Sequence, residues 1–153
     1  MIKDSRSTAS IFPAFILVQK TSFTAKTDFT ELNHILGWFD QATQDCLPRT
    51  AFIQCQTLLA EGFTNAVRHA HQGYAVEKPI EIEVTLLERQ LEIRIWDYGQ
   101  PFDLLQQIEK LPEQVDASAS SGRGLKLLKK IADRFDYIRL EDDRNCLFIV
   151  KSY

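Results

Sequence analysis

The sequence predicts an α/β fold: a two-layer α/β sandwich whose mixed, mostly antiparallel sheet is covered on one face by helices. Three observations carry this. Residues 50–71 hold apolar side chains at helical spacing, whereas residues 80–86 and 91–97 switch to strict alternation. The full order is strand, helix, helix, two strands, loop, helix, two strands, with no repeat and no internal linker. One domain, residues 14–153, comes after a flexible N-terminal tail of residues 1–13.

From the N-terminus onward, residues 15–18 form a strand that Phe23 extends after a break. Asp28 or Thr30 caps a helix running to about Asp45, with Leu32, Ile35, Leu36 and Phe39 on one side. Leu47-Pro48-Arg49 ends it, and the second helix spans residues 50–71, with Gly73 as its stop. Ile80, Ile82, Val84 and Leu86 alternate with Glu81, Glu83 and Thr85, giving a strand with one buried face. After a turn, Leu91, Ile93, Ile95 and Asp97 share the inward face of its hairpin partner, and Glu81 or Glu83 lies near Arg94. Residues 103–111 make a short helix. Residues 112–121 are poor in large apolar groups and read as a mobile loop. Leu125, Leu128, Ile131, Ala132 and Phe135 restart helical spacing, and strands at 137–140 and 146–150 flank a turn at 141–145.

The bulk properties narrow the function classes. The 153 residues fit one domain with a substantial core. A formal net charge of −3 leaves no basic footprint for direct nucleic-acid binding. No apolar run approaches a membrane span or a signal-peptide core, so the expected compartment is the cytoplasm. Cys46, Cys55 and Cys146 are odd in number and lack paired metal-ligand spacing, which predicts reduced, mostly buried thiols. His69 and His71 point about 200° apart on a helix and do not share a metal.

The chemistry gathers at three places. On the second helix, Glu61 and Asn65 lie one turn apart with Arg68 and His69 on the next turn, while Leu59, Phe63, Ala66 and Ala70 occupy the opposite side. Gly62 sits mid-helix, at a cost of about 1 kcal/mol relative to alanine, which requires something packed against the backbone there. Asp97 ends an inward apolar row, and a buried carboxylate needs donors. Two roles fit it: the cap of its own turn Asp97-Tyr-Gly-Gln-Pro101, or the floor of a ligand pocket accepting from an exocyclic amine. Gly122-Arg-Gly124 opens a helix after the loop, where free backbone N–H groups suit phosphate oxygens.

Together, Glu61-x-x-x-Asn65 on a helix, Asp97-x-Gly99 after a strand and Gly122-x-Gly124 at a helix start resemble the GHKL (Bergerat-fold) ATPase superfamily, which includes gyrase and histidine-kinase ATPase domains. The finer match is to the anti-sigma-factor serine/threonine kinases. Glu61-Gly-Phe-Thr-Asn65-Ala-Val-Arg-His69-Ala70 resembles their N-box, Trp96-Asp-Tyr-Gly-Gln-Pro-Phe-Asp103 their first glycine box, and Gly122-Arg-Gly-Leu125 their second. The resemblance implies that Asn65 helps hold the Mg²⁺ bridging the phosphates of ATP. It makes Asp97 the acceptor for the adenine amine and lets Gly99 pass close to the purine. Gly122 and Gly124 would let backbone wrap the phosphates, with Leu125 beginning the helix behind them, and Arg123 is a phosphate or partner contact unless it is a plain surface arginine. Glu61 would be the general base toward a serine or threonine on a protein substrate. Arg68 reads first as a surface arginine, and His69 as orienting the neighbouring polar network.

The implied partners are a small antagonist protein with a phosphorylatable Ser/Thr, a sigma factor or equivalent regulator, and a second copy of the chain in a homodimer. Pro101 departs from the glycine that many members carry. The chain shows neither a gyrase-type transducer nor a phosphoacceptor-histidine segment, which favours a free-standing regulatory kinase. Two other functions stand beside it: an ATP-gated binding switch of the same fold without kinase activity, and a structural protein without nucleotide.

Overall fold

The alternating residues 80–97 fold, in this computed structural model, as a β-hairpin on which the remaining strands assemble. The structure describes residues 16–101, 103–110 and 120–153. Strands β2 (Ile80–Leu87) and β3 (Gln90–Asp97) pair directly; β1 (Leu17–Ala25) adds beside β2 and β5 (Asn145–Ser152) beside β3. With β4 (Arg134–Arg139) outside β5, the strand order is β1-β2-β3-β5-β4. The two-layer sandwich is as expected, but every pairing is antiparallel, so the sheet has no mixed part among the described residues.

Two strands differ from expectation. Apart from a register shift between Leu17 and Gln19, β1 continues to Ala25 without the expected break, because Lys20, Ser22 and Thr24 face away from the helices while the backbone stays paired with Thr85, Glu83 and Glu81. On an edge strand those polar side chains disturb no core. β4 begins at Arg134, so Phe135 belongs to the sheet and pairs with Ile149 rather than continuing the preceding helix.

The helical layer depends on caps and breakers. Asp28 accepts a hydrogen bond from the Thr30 backbone N–H at 2.9 Å and caps a short 3₁₀ turn, Phe29–Glu31, that leads into α1 (Leu32–Thr43). Pro48 precedes α2 (Arg49–Asn65), which continues through a π turn at Ala66–Ala70; Gly73, at φ +87°, then adopts the left-handed conformation that stops the run. Asp103 caps the short α3 (Leu104–Glu109) through the Gln106 N–H. The last helix, α4, spans Ser120–Ile131. The loop expected at 112–121 lies outside the described residues up to 119.

Ile35, Phe39, Leu58, Leu59 and Phe63 pack from the helices onto Ile82, Ile93, Ile95 and Ile149, all essentially inaccessible to solvent. Each such side chain contributes about 1.5–3 kcal/mol of transfer free energy. On the other face of the sheet, Arg94 bonds Glu92 at 2.9 Å and Glu83 at 3.5 Å, and its guanidinium stacks 4.6 Å above the Phe148 ring. Glu81 pairs with Arg144 instead. Cys55 and Cys146 are buried, and burial pushes their thiols up to about 12 and about 11; Cys46 is exposed. No described helix is long and apolar enough to cross a membrane.

Candidate functional site

The polar side of α2 and the end of the sheet meet in one place, and three glycines explain how closely. A Cβ on Gly62 would lie 2.6 Å from Ile95 Cδ1 and 3.2 Å from Leu147 Cδ2, so the helix rests its backbone on the sheet there. That is the close packing its sequence position required. A Cβ on Gly99 would lie 2.8 Å from both Cα and O of Ala70. A Cβ on Gly124 would overlap the Glu61 carboxylate and approach Asn65 Nδ2 at 3.7 Å. The turn after β3 therefore touches the C-terminal end of this helical run, and the start of α4 touches it one to two turns earlier. Glu61 and Asn65, both half-buried, lie between these contacts.

Asp97 floors the sheet end at 3% exposure. Its inward orientation comes from strand alternation, and the antiparallel register sets it opposite Asn145, which in turn lies opposite Arg139. Asp97 Oδ1 accepts from the Gly99 N–H at 2.9 Å and from Asn145 Nδ2 at 2.8 Å; Oδ2 accepts from the Tyr137 hydroxyl at 2.7 Å. The carboxylate thus both caps its own turn and receives donors from two further strands. Burial, and after it the negative charge of Asp97, hold the Tyr137 hydroxyl well above its usual range, so it remains a donor. Asn145 Nδ2 and Arg139 Nη1 also hold the Gly99 carbonyl, each at 2.9 Å. A carboxylate offers about four lone-pair positions. Donors from the described residues fill three, which leaves one acceptor position on Oδ2 among them.

Sequence reasoning missed Asn145, Tyr137 and Arg139. Asn145 falls in the turn expected at 141–145, yet it is completely buried and is the first residue of β5. Extending the inward row Ile149, Leu147 by one step reaches it. His71, also missed, is 1% exposed: its Nε2 accepts from the Tyr98 N–H at 2.9 Å and its Nδ1 meets Thr27 Oγ1 at 2.8 Å.

The expected site residues fall into two groups. Glu61, Asn65 and Gly124 come together at one end, and Asp97 and Gly99 at the other. Leu125 is half-buried and packs against the core, with Leu128 fully buried one turn later. Gly122 and Arg123 fall on the first turn of α4, where the Arg123 side chain lies outside the described residues. Arg68 and His69 are exposed, and the Arg68 guanidinium stands 5.6 Å from the Phe29 ring centre. Among the described residues no group of three or more His, Cys, Asp or Glu gathers as a metal cage. Were Mg²⁺ held here, the half-buried Asn65 amide would be the side chain to offer it an oxygen, beside ligand phosphates and water.

The family model described as a histidine kinase-like ATPase domain matches residues 26–151. No curated protein matches the chain. Among solved structures, the RsbU and RsbW domains of Rv1364c from Mycobacterium tuberculosis are similar in fold, with a TM-score of 0.62 and 13% identity over 88% of this chain; the chain spans only 32% of that protein. The SiaB–SiaC complex from Pseudomonas aeruginosa contains a chain similar at a TM-score of 0.58 and 12% identity, covering 90% of this chain and 91% of that one.

Proposed function

The chain belongs to the histidine kinase-like ATPase domain family, and on that premise we propose that it is an ATP-dependent protein serine/threonine kinase acting in partner switching. The observation that carries the nucleotide half is Asp97: a buried carboxylate with three donors and one open acceptor position. Such a group suits the exocyclic amine of adenine and opposes the carbonyl that guanine has there. From this floor the helical run extends to Asn65 and Glu61, so a nucleotide whose base sits on Asp97 directs its phosphates toward them and toward the start of α4. Asn65 would hold Mg²⁺ through its amide oxygen, and the ion would neutralise charge on the phosphates.

Glu61 stands one turn before Asn65 and is the base. It accepts the proton of the substrate hydroxyl as that oxygen bonds to the γ-phosphorus and the bond to the ADP oxygen breaks. Phosphoryl transfer is mostly positioning and charge neutralisation, and a base and a metal ligand fixed on one helix supply both. The protein partner is proposed as a small antagonist with an accessible serine or threonine, and the further partner as a sigma factor or equivalent regulator. A chain similar in fold was solved as a complex of two proteins, SiaB with SiaC, which supports a protein rather than a small-molecule acceptor. A homodimer and a cytoplasmic location belong to the same proposal.

The test uses γ-labelled ATP, Mg²⁺ and partner proteins captured from the source cell. Glu61→Gln should bind ATP like the parent yet transfer phosphate at least about 10²-fold more slowly, the usual scale for losing a general base. Equal transfer by both removes Glu61 from the chemistry. ATP binding with no phosphoprotein product across the captured partners favours the switch without kinase activity.

A further inference from the structure

The turn after Asp97 is tied to the helix by a residue that the proposed chemistry does not use. After Asn65 the helix widens into the π turn, and the His71 N–H, rather than that of Ala70, reaches the Ala66 carbonyl at 2.8 Å. Such insertions often sit at functional sites. Here the extra residue sets Ala70 against Gly99 and turns the His71 ring toward Tyr98.

The proton on this ring can be located from its neighbours. The Tyr98 backbone N–H donates to Nε2, so Nε2 carries no hydrogen. Thr27 Oγ1 donates to the Lys78 carbonyl at 2.6 Å, so its oxygen accepts from Nδ1–H. His71 is therefore neutral, with its hydrogen on Nδ1. A second proton on Nε2 would point donor at donor, and the bond to Tyr98 would break. The Tyr98 carbonyl is held separately by the Tyr74 hydroxyl at 2.9 Å. With both polar groups of Gly99 also bonded, every backbone donor and acceptor of residues 98 and 99 is engaged.

We infer that His71 is a positioning residue for the base pocket: its neutral ring fixes the 98–99 turn, and through it Asp97, against the helix, and protonating it weakens nucleotide binding. The inference rests on the nucleotide site proposed above. The titratable and charged groups facing the ring are Asp97 from the end of β3, Tyr98 from the turn, and Tyr74 and Lys78 from the segment after the helix; the Lys78 ammonium lies 4.0 Å above the Tyr98 ring. Burial lowers the His71 pKa; Asp97 opposes this and Lys78 adds to it. A histidine depressed in the folded state contributes stability that is complete above its unfolded value of 6.5 and is lost as pH falls from there through the folded pKa.

The experiment measures Mg-ATP affinity of the whole chain between pH 7.5 and 5.5 for the parent, His71→Gln and His71→Phe. Glutamine keeps a neutral acceptor that cannot be protonated, and the titration of ATP itself is common to all three. The parent should lose affinity relative to His71→Gln as pH falls across this range, by less than about tenfold because the ring's pKa lies below 6.5, and His71→Phe should be about tenfold weaker than the parent at pH 7.5, the scale of one buried hydrogen bond left unmade. The protection of the Tyr98 amide in the parent without nucleotide, its exchange rate relative to the intrinsic rate at each pH, should be high at pH 7.5 and lower at 5.5, and reads the same bond should His71→Phe fail to fold. A parent that binds ATP with no pH dependence relative to His71→Gln, or a Tyr98 amide equally protected at both pH values, overturns the role of His71 alone. A parent that binds no ATP at either pH overturns the nucleotide site and this inference with it.

Discussion

The two ends of the candidate site are built in different ways. At the sheet end, Asp97, Asn145, Tyr137, Arg139 and the backbone of residues 98–99 form a continuous hydrogen-bond network across β3, β4 and β5. At the helix end, Glu61, Asn65 and Gly124 are brought together by packing, with backbone of α4 lying against the Glu61 carboxylate. The first end has its acceptor fixed before any ligand arrives, as suits recognition of a base. The second sets its carboxylate against helix backbone by packing, where the proposed phosphate binding and transfer would take place. In the proposed function, specificity would reside in the sheet and chemistry in the contact between two helices.

Substitutions separate the ends, and Asp97→Asn should have the largest effect. It replaces an acceptor that faces three donors with an amide able to satisfy only part of them. Hydrogen bonds to a charged group are worth about 1.5–3 kcal/mol, so a stability loss of about 2–4 kcal/mol is expected in denaturant unfolding, together with loss of ATP binding. Gly99→Ala comes next. Its Cβ would meet Ala70 backbone atoms at 2.8 Å, which cannot rotate aside, and overpacking of this kind costs about 1–3 kcal/mol. Gly124→Ala meets only the end of the Glu61 side chain, which can swing away. Stability should change little, while phosphoryl transfer falls about 10²-fold through misplacement of the base and ATP affinity stays near that of the parent. A Gly124→Ala protein that unfolds like Gly99→Ala would mean that the helix end is as rigid as the sheet end. Least affected should be the thiols: Cys46 reacts with a thiol reagent in the native protein, whereas Cys55 and Cys146 react only on unfolding.

The same contrast explains how much the sequence made legible. Glu61 and Asn65 are four residues apart on one helix, and helical periodicity is enough to put them together. The inward orientation of Asp97 comes equally from alternation within a single strand. Its donors do not. Tyr137 and Asn145 reach it through the register of three strands, and nothing local specifies which residue of one strand lies opposite which residue of another. Phe135 illustrates the ambiguity: its spacing from Leu128, Ile131 and Ala132 fits a helix, but pairing with Ile149 places it in β4. The π turn was equally hidden, because one inserted residue leaves the apolar spacing of α2 unchanged and alters only the orientation of later residues, His71 among them. Gly62 could be read as needing a close neighbour, but Ile95 and Leu147 as that neighbour are a tertiary fact.

The central claim, that Asp97 with its one open acceptor position and the Glu61–Asn65 helix face form one adenine-nucleotide site, is tested most directly by calorimetric titration of the parent chain with Mg-ATP and Mg-GTP. A floor that offers only an acceptor should favour ATP by about 10²-fold or more, since guanine would leave that acceptor facing another acceptor, and Asp97→Asn should abolish the preference. Equal affinity for the two nucleotides, or a preference that survives Asp97→Asn, would contradict the account.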